Sequence, residues 1–449
     1  MKKRIAASII SFILITLFPF MRVSAYENVT KQLVSEFQKE TKCKNVSVAV
    51  FNNGETTFYG DSKTLYQIGS MTKAFTGLAI QKLITEGKIS ENDIISDHIP
   101  GFEAFYGPSK VSISIQDLVE QKSGFTNSEK DYPSADENMT LEEWADSISG
   151  KELKSLPGTE YAYSNLNYNL LGLIIEETTG MTYKDYMEKE ILIPLGLANT
   201  FVGEPAYGNV TEGSRLGYRN AFRYSIPVRE ASIPAGYFYS DSEDMARWIG
   251  IWTGSIEIPE ELSQAVENTK KQLGKTGDYA YGWELFEGDV IGHSGGTPNY
   301  SSRIVFSEKD GIGAVVLCNM NVAASTDSLC NNIFESLKGN EKKSIARDVW
   351  TVFDIIFSIV SITGLLIFAA VLFIKKRVIL IVTDALIILL FALIMILFPI
   401  IFQADLKDIM FTWAPWSLTG ALMIMAVDIF ETSIRILSVK KHASDNKTG

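Results

Sequence analysis

The feature that most constrains this chain is a change of solvent at Trp350. Upstream, charged, polar and apolar residues mix as in a water-facing domain; downstream, three apolar runs follow in quick succession. Ile355 to Ile374 carries no charge and is long enough to cross a bilayer. Val378 to Phe402 is a second run, broken by Asp384, and Phe411 to Phe430 is a weaker third, with Trp413 and Trp416 placed for an outer aromatic belt. Lys375-Lys376-Arg377 joins the first two runs, Gln403 to Asp408 joins the second and third, and Arg435, Lys440, Lys441 and Lys447 follow. Positive loops stay inside, so 350–437 is expected to form three transmembrane helices and 438–449 a cytoplasmic tail. Asp384 and Asp428 fall near the cytoplasmic ends of their runs. The expectation for both is an interfacial pair with Lys376, Arg377 or Arg435, set against the functional role that an intramembrane carboxylate can have.

The other end agrees with this orientation. Lys2-Lys3-Arg4, the apolar run Ile5 to Phe20 and Val23-Ser24-Ala25 have the grammar of a signal peptide over 1–25, cleaved after Ala25. Retention as an anchor would orient the chain the same way. What lies between, 26–341, is then extracytoplasmic, and roughly 310 residues suffice for one large domain or two closely packed ones. A net charge of -12 argues against nucleic acid. Three histidines (His98, His293 and His442) and three cysteines are too scattered for a metal centre, and no cofactor is expected. Cys43, Cys318 and Cys330 read as small buried apolar residues, with a Cys318–Cys330 bridge left open.

The extracytoplasmic part reads as mixed α/β. Thr30 is a plausible cap for a helix Lys31 to Thr41. Strands Val46 to Phe51 and Thr56 to Tyr59 flank the Asn52-Asn53-Gly54 turn. Strands Ser302 to Phe306 and Gly313 to Leu317, then a helix Ser325 to Leu337, close the domain. One sheet built from both chain ends, with a helical insertion, follows.

Three short segments carry the chemistry: Ser70-Met71-Thr72-Lys73, Tyr163-Ser164-Asn165 and His293-Ser294-Gly295. Alone each is worthless: Ser438-Val439-Lys440-Lys441, Tyr26-Glu27-Asn28 and Tyr218-Arg219-Asn220 repeat the same spellings. Ser70 and Lys73 at the start of a helix share one face. Desolvation and the positive helix end favour a neutral Lys73, which can take the Ser70 proton. Tyr163 would share that proton or deliver it to the leaving group. Asn165, in an extended segment or loop, would hold a substrate amide. The stretch from His293 would line the site as a strand, with Ser294, Gly295 and Asn299 beside the substrate and the backbone N–H groups of Ser70 and Gly296 forming an oxyanion hole. His293 and Asn299 also have plainer readings, a packed strand residue and a turn shaper, as do Tyr281 and Trp283 in the core.

Tyr66-Gln67-Ile68-Gly69 before Ser70, Pro157-Gly158-Thr159 before Tyr163, and His293-Ser294-Gly295-Gly296 resemble the class C β-lactamase and penicillin-binding-protein family of serine hydrolases. Ser112 to Leu118 and Pro234-Ala235-Gly236 resemble secondary landmarks of that family. The resemblance spans roughly Leu33 to Leu337. It implies a sheet flanked by helices beside an all-helical lobe, a site in the cleft between them, and Ser70 as the acylated nucleophile. Lys275-Thr276-Gly277 spells another family motif but sits in a polar stretch and reads as a decoy. His293 stands where class C β-lactamases carry lysine, which points toward peptidase and esterase members. Asn299 stands where many relatives carry glycine. With its three spans the chain resembles prodrug-activating peptidases of nonribosomal peptide pathways, of the colibactin-maturing type. The leading expectation is therefore a membrane-anchored serine peptidase acting on acylated D-amino-acid peptides, with the lipid bilayer as its other partner. A cell-wall D,D-peptidase or esterase is the enzymatic alternative. A penicillin-binding sensor or transporter-associated protein is the non-enzymatic one. Oligomeric state is not legible in the residues.

Overall fold

The computed structural model describes residues 27–127, 131–275, 277–341, 343–402 and 404–445; the leader read at 1–25 lies outside them. The two ends of the water-facing part meet in a seven-stranded sheet. Its strands in chain order are β1 (Val46–Asn52), β2 (Glu55–Tyr59), β3 (Tyr279–Ala280), β4 (Trp283–Phe286), β5 (Val290–Thr297), β6 (Tyr300–Ser307) and β7 (Ile312–Cys318). The spatial order β3-β4-β5-β6-β7-β1-β2 is antiparallel throughout, so β1 pairs with the last strand from Val46 opposite Cys318 to Asn52 opposite Ile312.

Strand alternation decides which layer each residue serves. Val46, Val48 and Val50 of β1 join a core with Leu33 and Phe37 of α1 (27–41) and with Leu329 and Ile333 of α5 (Ala323–Leu337). Ala49 and Phe51 point to the opposite layer, which holds α2 (Thr72–Thr85), α3 (Asn165–Thr179) and α4 (Ser242–Trp252). Burial on both faces explains why β1 is apolar almost without interruption. Trp248 and Trp252 of α4 pack on Trp283, with ring centroids 6.3 Å and 5.0 Å from it, so Trp283 is core. Buried Tyr281 is core likewise, its hydroxyl donating to Glu91 at 2.7 Å.

Beyond the sheet come α6 (Val349–Val371), α7 (Arg377–Phe402) and α8 (Trp416–Asp445). Among the described residues, α6 and α7 are the two helices long and apolar enough to cross a membrane. The third apolar run behaves differently. The helix starts at Trp416 and not at Phe411 because Pro415 keeps Ala414 extended (φ -73°, ψ 156°), and Ile409–Trp413 forms a separate π-helical turn. Asp428, Glu431 and Arg435 interrupt α8, which packs against both other helices through Leu418, Ala421, Leu422 and Met425.

Several local expectations change. Helix α1 is already formed at residue 27, so Thr30 is a buried residue within it and no cap. The interfacial pairing expected for Asp384 and Asp428 is not seen among the described residues. Asp384 accepts from the Ser433 hydroxyl at 3.4 Å, and Arg435 donates to the Leu372 carbonyl at 2.7 Å. A carboxylate that ties the helices to the domain is Asp354, fully buried near the start of α6. It accepts from the Arg219 backbone N–H at 2.8 Å and from the Ser417 hydroxyl at 2.7 Å. Tyr218-Arg219-Asn220, a decoy as chemistry, thus belongs to a hairpin (Ser214–Gly217 with Asn220–Arg223) whose tip, with Tyr218 and Arg219 at φ +49° and +59°, enters the helical bundle. Gly420 makes room for it: a Cβ there would lie 1.9 Å from the Tyr218 hydroxyl. All three cysteines are free and buried, and the Cys318–Cys330 bridge is not formed.

Candidate active site

Ser70 sits on a 3-10 turn, Gly69–Met71, and not within α2, which begins at Thr72. The turn follows the strand Thr64–Gln67, which pairs with Phe238–Ser240. It is pressed against β5 and β6: the Ser302 hydroxyl of β6 donates to the Ile68 carbonyl at 2.8 Å, and Gly69 has φ +52°. A Cβ on Gly69 would lie 2.4 Å from the Gly296 nitrogen. This contact places the backbone of Ser70 and the backbone of Gly296 on one wall.

Lys73 lies one helical step on and is fully buried. Its Nζ is 3.0 Å from Ser70 Oγ, 2.7 Å from Asn165 Oδ1 and 2.6 Å from the Ala235 carbonyl oxygen. No carboxylate is among these partners, and burial pushes the lysine pKa well below its ordinary value. With the amine neutral, the Asn165 and Ala235 oxygens, which can only accept, take its two N–H bonds, and its lone pair faces the Ser70 hydroxyl.

The turn carrying Tyr163 is anchored by Gln121. That side chain accepts from the Ser164 N–H at 3.0 Å and from Asn167 at 2.6 Å, while its carbonyl accepts from the Ala162 N–H at 2.8 Å. Gln121 itself holds φ +60°, and nothing in the sequence marks it for this role. The Tyr163 ring centroid is 5.0 Å from Lys73 Nζ. Desolvation raises its phenol pKa, and a hydrogen bond with Ser70 offsets part of that rise, so the phenol stays protonated at neutral pH. Asn165 is the first residue of α3, with Ser164 as cap, so it enters from a helix start and not from the extended segment expected. Its backbone N–H donates to Asn127 Oδ1 at 2.7 Å.

Ser70, Lys73, Tyr163, Asn165 and Gly296 are therefore brought together, and four other candidates are not. His293 is buried beneath Tyr163 and Tyr279, its Nδ1 donating to the Ser294 carbonyl at 2.6 Å and its Nε2 accepting from Tyr279 at 3.3 Å. Burial foremost, with Lys73 nearby, lowers its pKa to about 3, so the imidazole is neutral. The Ser294 hydroxyl turns to Asp327 at 2.8 Å and Arg303 at 2.9 Å. Gly295 abuts the Ile68 carbonyl, where a Cβ would come within 2.0 Å. Asn299 is buried, with Nδ2 donating to the Tyr224 carbonyl at 3.1 Å, and shapes the turn between β5 and β6. A contiguous motif in sequence is divided by the strand, whose successive side chains leave on opposite faces. Lys275 and Gly277 sit in the turn after helix Glu260–Gln272, off the cleft, and Thr276 lies outside the described residues.

The cleft above Ser70 has a volume of about 580 Å³. Asn165, Ala235, Gly236, Gly296 and Thr297 line one side with Ser70. Phe402, the last residue of α7, and Asp405, Asp408, Thr412 and Trp413 from the connection to α8 line another, a wall that no local pattern announces. Among the described residues, no group of three His, Cys, Asp or Glu side chains could hold a metal ion.

Residues 30–332 match the family model described as Beta-lactamase. Protein flp of Staphylococcus aureus (strain NCTC 8325 / PS 47) is 34% identical over 275 residues, covering 58% of this chain and 53% of that protein. A putative D-alanyl-D-alanine carboxypeptidase of Salmonella paratyphi B is 36% identical over 152 residues, covering 31% of this chain and 34% of that one. The chain spans about half the length of the first of these curated relatives and about a third of the second. Among solved structures, a class C beta-lactamase superposes with TM-score 0.61 at 18% identity, covering 71% of this chain and 97% of that one. The octameric penicillin-binding protein homologue from Pyrococcus abyssi gives TM-score 0.59 at 21% identity, covering 74% and 81%. These two likenesses concern the fold.

Proposed function

Because the chain belongs to the Beta-lactamase family of serine hydrolases, we propose that it cleaves peptide amides outside the cytoplasm through an ester on Ser70. The observation that carries this reading is the buried Lys73, bonded to Ser70 Oγ with no carboxylate to hold its proton. In the proposed reaction neutral Lys73 takes the Ser70 proton as Oγ attacks the amide carbonyl carbon. The N–H groups of Ser70 and Gly296 receive the oxyanion. The C–N bond then breaks as the Tyr163 phenol protonates the departing nitrogen, and Lys73 returns its proton to the phenol. Water, deprotonated along the same route, hydrolyses the ester and restores Ser70. Asn165, its oxygen engaged by Lys73, offers its NH₂ to a substrate carbonyl.

The membrane arrangement belongs to the same reading: α6, α7 and α8 span the bilayer three times and hold the cleft at its outer surface. The many exposed Ile, Leu and Phe side chains on α6 and α7 support this, since water would not tolerate such a surface. An N-acylated D-amino-acid peptide is the substrate this placement favours, with a maturation step for a secreted peptide as one use. Similarity to a putative D-alanyl-D-alanine carboxypeptidase supports a second reading, a D,D-peptidase. Intact-mass detection of acyl-Ser70 with N-acyl-D-Asn peptides, D-Ala-D-Ala peptides and penicillins separates the two. Ser70→Ala should abolish both adduct and turnover; unchanged turnover would refute the proposal.

A further inference from the structure

One side chain in the cleft is buried and lacks a partner. Asn169 lies one turn beyond Asn165 on α3, and side chains four apart on a helix share a face. It is 3% exposed, lines the cleft together with Asn165 and Ser70, and its Oδ1 accepts no hydrogen bond among the described residues. A buried amide costs stability until a donor or acceptor reaches it, and in a cleft a ligand can supply one. Segment 229–236 runs against the same helix. A Cβ on Gly172 would lie 2.4 Å from Pro234 Cγ, and the turn Glu230–Ser232 packs on α3 and on the helix Leu141–Ile148, which carries Trp144.

Arg229 opens that segment and lines the cleft with Tyr237 and Ser232. Burial raises the Tyr237 phenol pKa, and the nearby Arg229 charge offsets part of the rise. Among the described residues the Arg229 guanidinium makes no ion pair and no hydrogen bond. A guanidinium has only donors, set in a fork that fits a carboxylate, and the Asn169 amide and Ser232 hydroxyl can each add another. Tyr132 and Trp144, both buried, line the same space with apolar rings, and charge-assisted bonds are stronger where water is scarce. Asp405 and Asp408 line the wall supplied by the connection to α8, and Asp408 accepts from the Thr412 hydroxyl at 3.2 Å. Neither pairs with Arg229. Their charge repels an anion from that wall and leaves the Arg229 side as the place where a carboxylate settles.

We propose that Arg229, Asn169 and Ser232 form a subsite for a side-chain carboxylate, so that the residue whose carbonyl Ser70 attacks is acidic. This rests on the acyl-Ser70 reading above and names the substrate class within it. The position along the substrate follows from α3. The leaving nitrogen departs toward Tyr163, which precedes the helix, whereas Asn169 lies a turn into it. The subsite therefore meets the part of the substrate that stays on Ser70.

The test uses the full chain in phospholipid nanodiscs with two amides that differ in charge and hardly in shape. These are the 4-nitroanilides of N-acetyl-D-Glu and N-acetyl-D-Gln, each also supplied as its L form. The wild type should favour Glu over Gln in kcat/KM. Arg229→Gln should lose about tenfold to a hundredfold of that preference, the worth of a charge-assisted pair, through a higher KM for Glu. Arg229→Lys should keep part of it, since an ammonium retains the charge without the fork. Asn169→Leu should weaken the preference yet melt at a higher temperature than the wild type, because it removes an amide that is unbonded without substrate. A thermal melt reports folding; should Arg229→Gln not fold, Asn169→Leu carries the test. A wild type that forms acyl-Ser70 from these amides without favouring Glu overturns the subsite and leaves the hydrolase reading standing. A folded Arg229→Gln with the wild-type preference overturns the role of Arg229. No acyl-Ser70 from any of the four amides overturns the hydrolase reading and the subsite with it.

Discussion

Gly69→Ala tests the oxyanion wall without touching a catalytic side chain. A Cβ at this position would sit 2.4 Å from the Gly296 nitrogen, 2.8 Å from the Gly295 carbonyl carbon and 3.0 Å from its Cα. All three are backbone atoms, so no flexible side chain can swing away. Ordinary contact needs the Ser70 turn and β5 to part by about 1 Å. The two N–H donors of the proposed oxyanion hole sit one on each side of that gap. A misplacement of about 1 Å costs on the order of 10²-fold in rate, close to the loss of one oxyanion donor. Alanine at φ +52° adds about 1 kcal/mol of backbone strain, which a thermal melt would register. The assay is the rate of acyl-Ser70 formation with a fluorescent penicillin or an activated ester, followed by rapid quench and intact mass. A folded Gly69→Ala that acylates at the wild-type rate would refute the claim that these two backbones form one site.

Lys73→Met should be inactive by about 10²–10⁴-fold yet more resistant to heat at neutral pH. The folded pKa is below the unfolded one, so the unfolded chain binds a proton that the folded chain does not; burial of Lys73 therefore costs stability below its unfolded value. That cost fades as pH rises toward 10.5, and the melting advantage of the variant should shrink with it; equal melting at pH 7 would contradict the burial argument. The pH profile of acylation should rise through the lowered Lys73 pKa, well below pH 10.5, with its alkaline limit pushed upward by the raised Tyr163 phenol. No inflection near pH 6.5 should arise from His293, whose pKa is lowered to about 3, and activity that appears only near pH 10 would sink the neutral-amine mechanism.

Much of this was legible because it depends on local patterns. The alternation of Val46, Val48 and Val50 fixed β1, the Asn53-Gly54 turn fixed the first hairpin, and β6 and β7 fall within two residues of the boundaries read from hydropathy. Ser70 and Lys73 needed only helical spacing to be paired. Less legible is what becomes of residues that are neighbours in sequence. His293, Ser294 and Gly295 diverge because a strand sends successive side chains to opposite faces, and burial then assigns each a separate packing task. The third apolar run was mistaken at its start because hydropathy does not register that Pro415 forbids a helix through Ala414.

The amino-acid order by itself therefore determined the sheet built from both ends, the pairing of Ser70 with Lys73, and the change to apolar helices after Trp350. Tertiary structure alone decided which oxygens share Lys73 Nζ, why Gln121 must bend to hold Tyr163, and how Asp354 fastens the water-facing domain to the apolar helices. The physical reason is range. Periodicity, capping and turn chemistry act over a few residues and leave a signature in the string, whereas a buried amine or carboxylate takes its partners from segments that only packing brings within three ångströms.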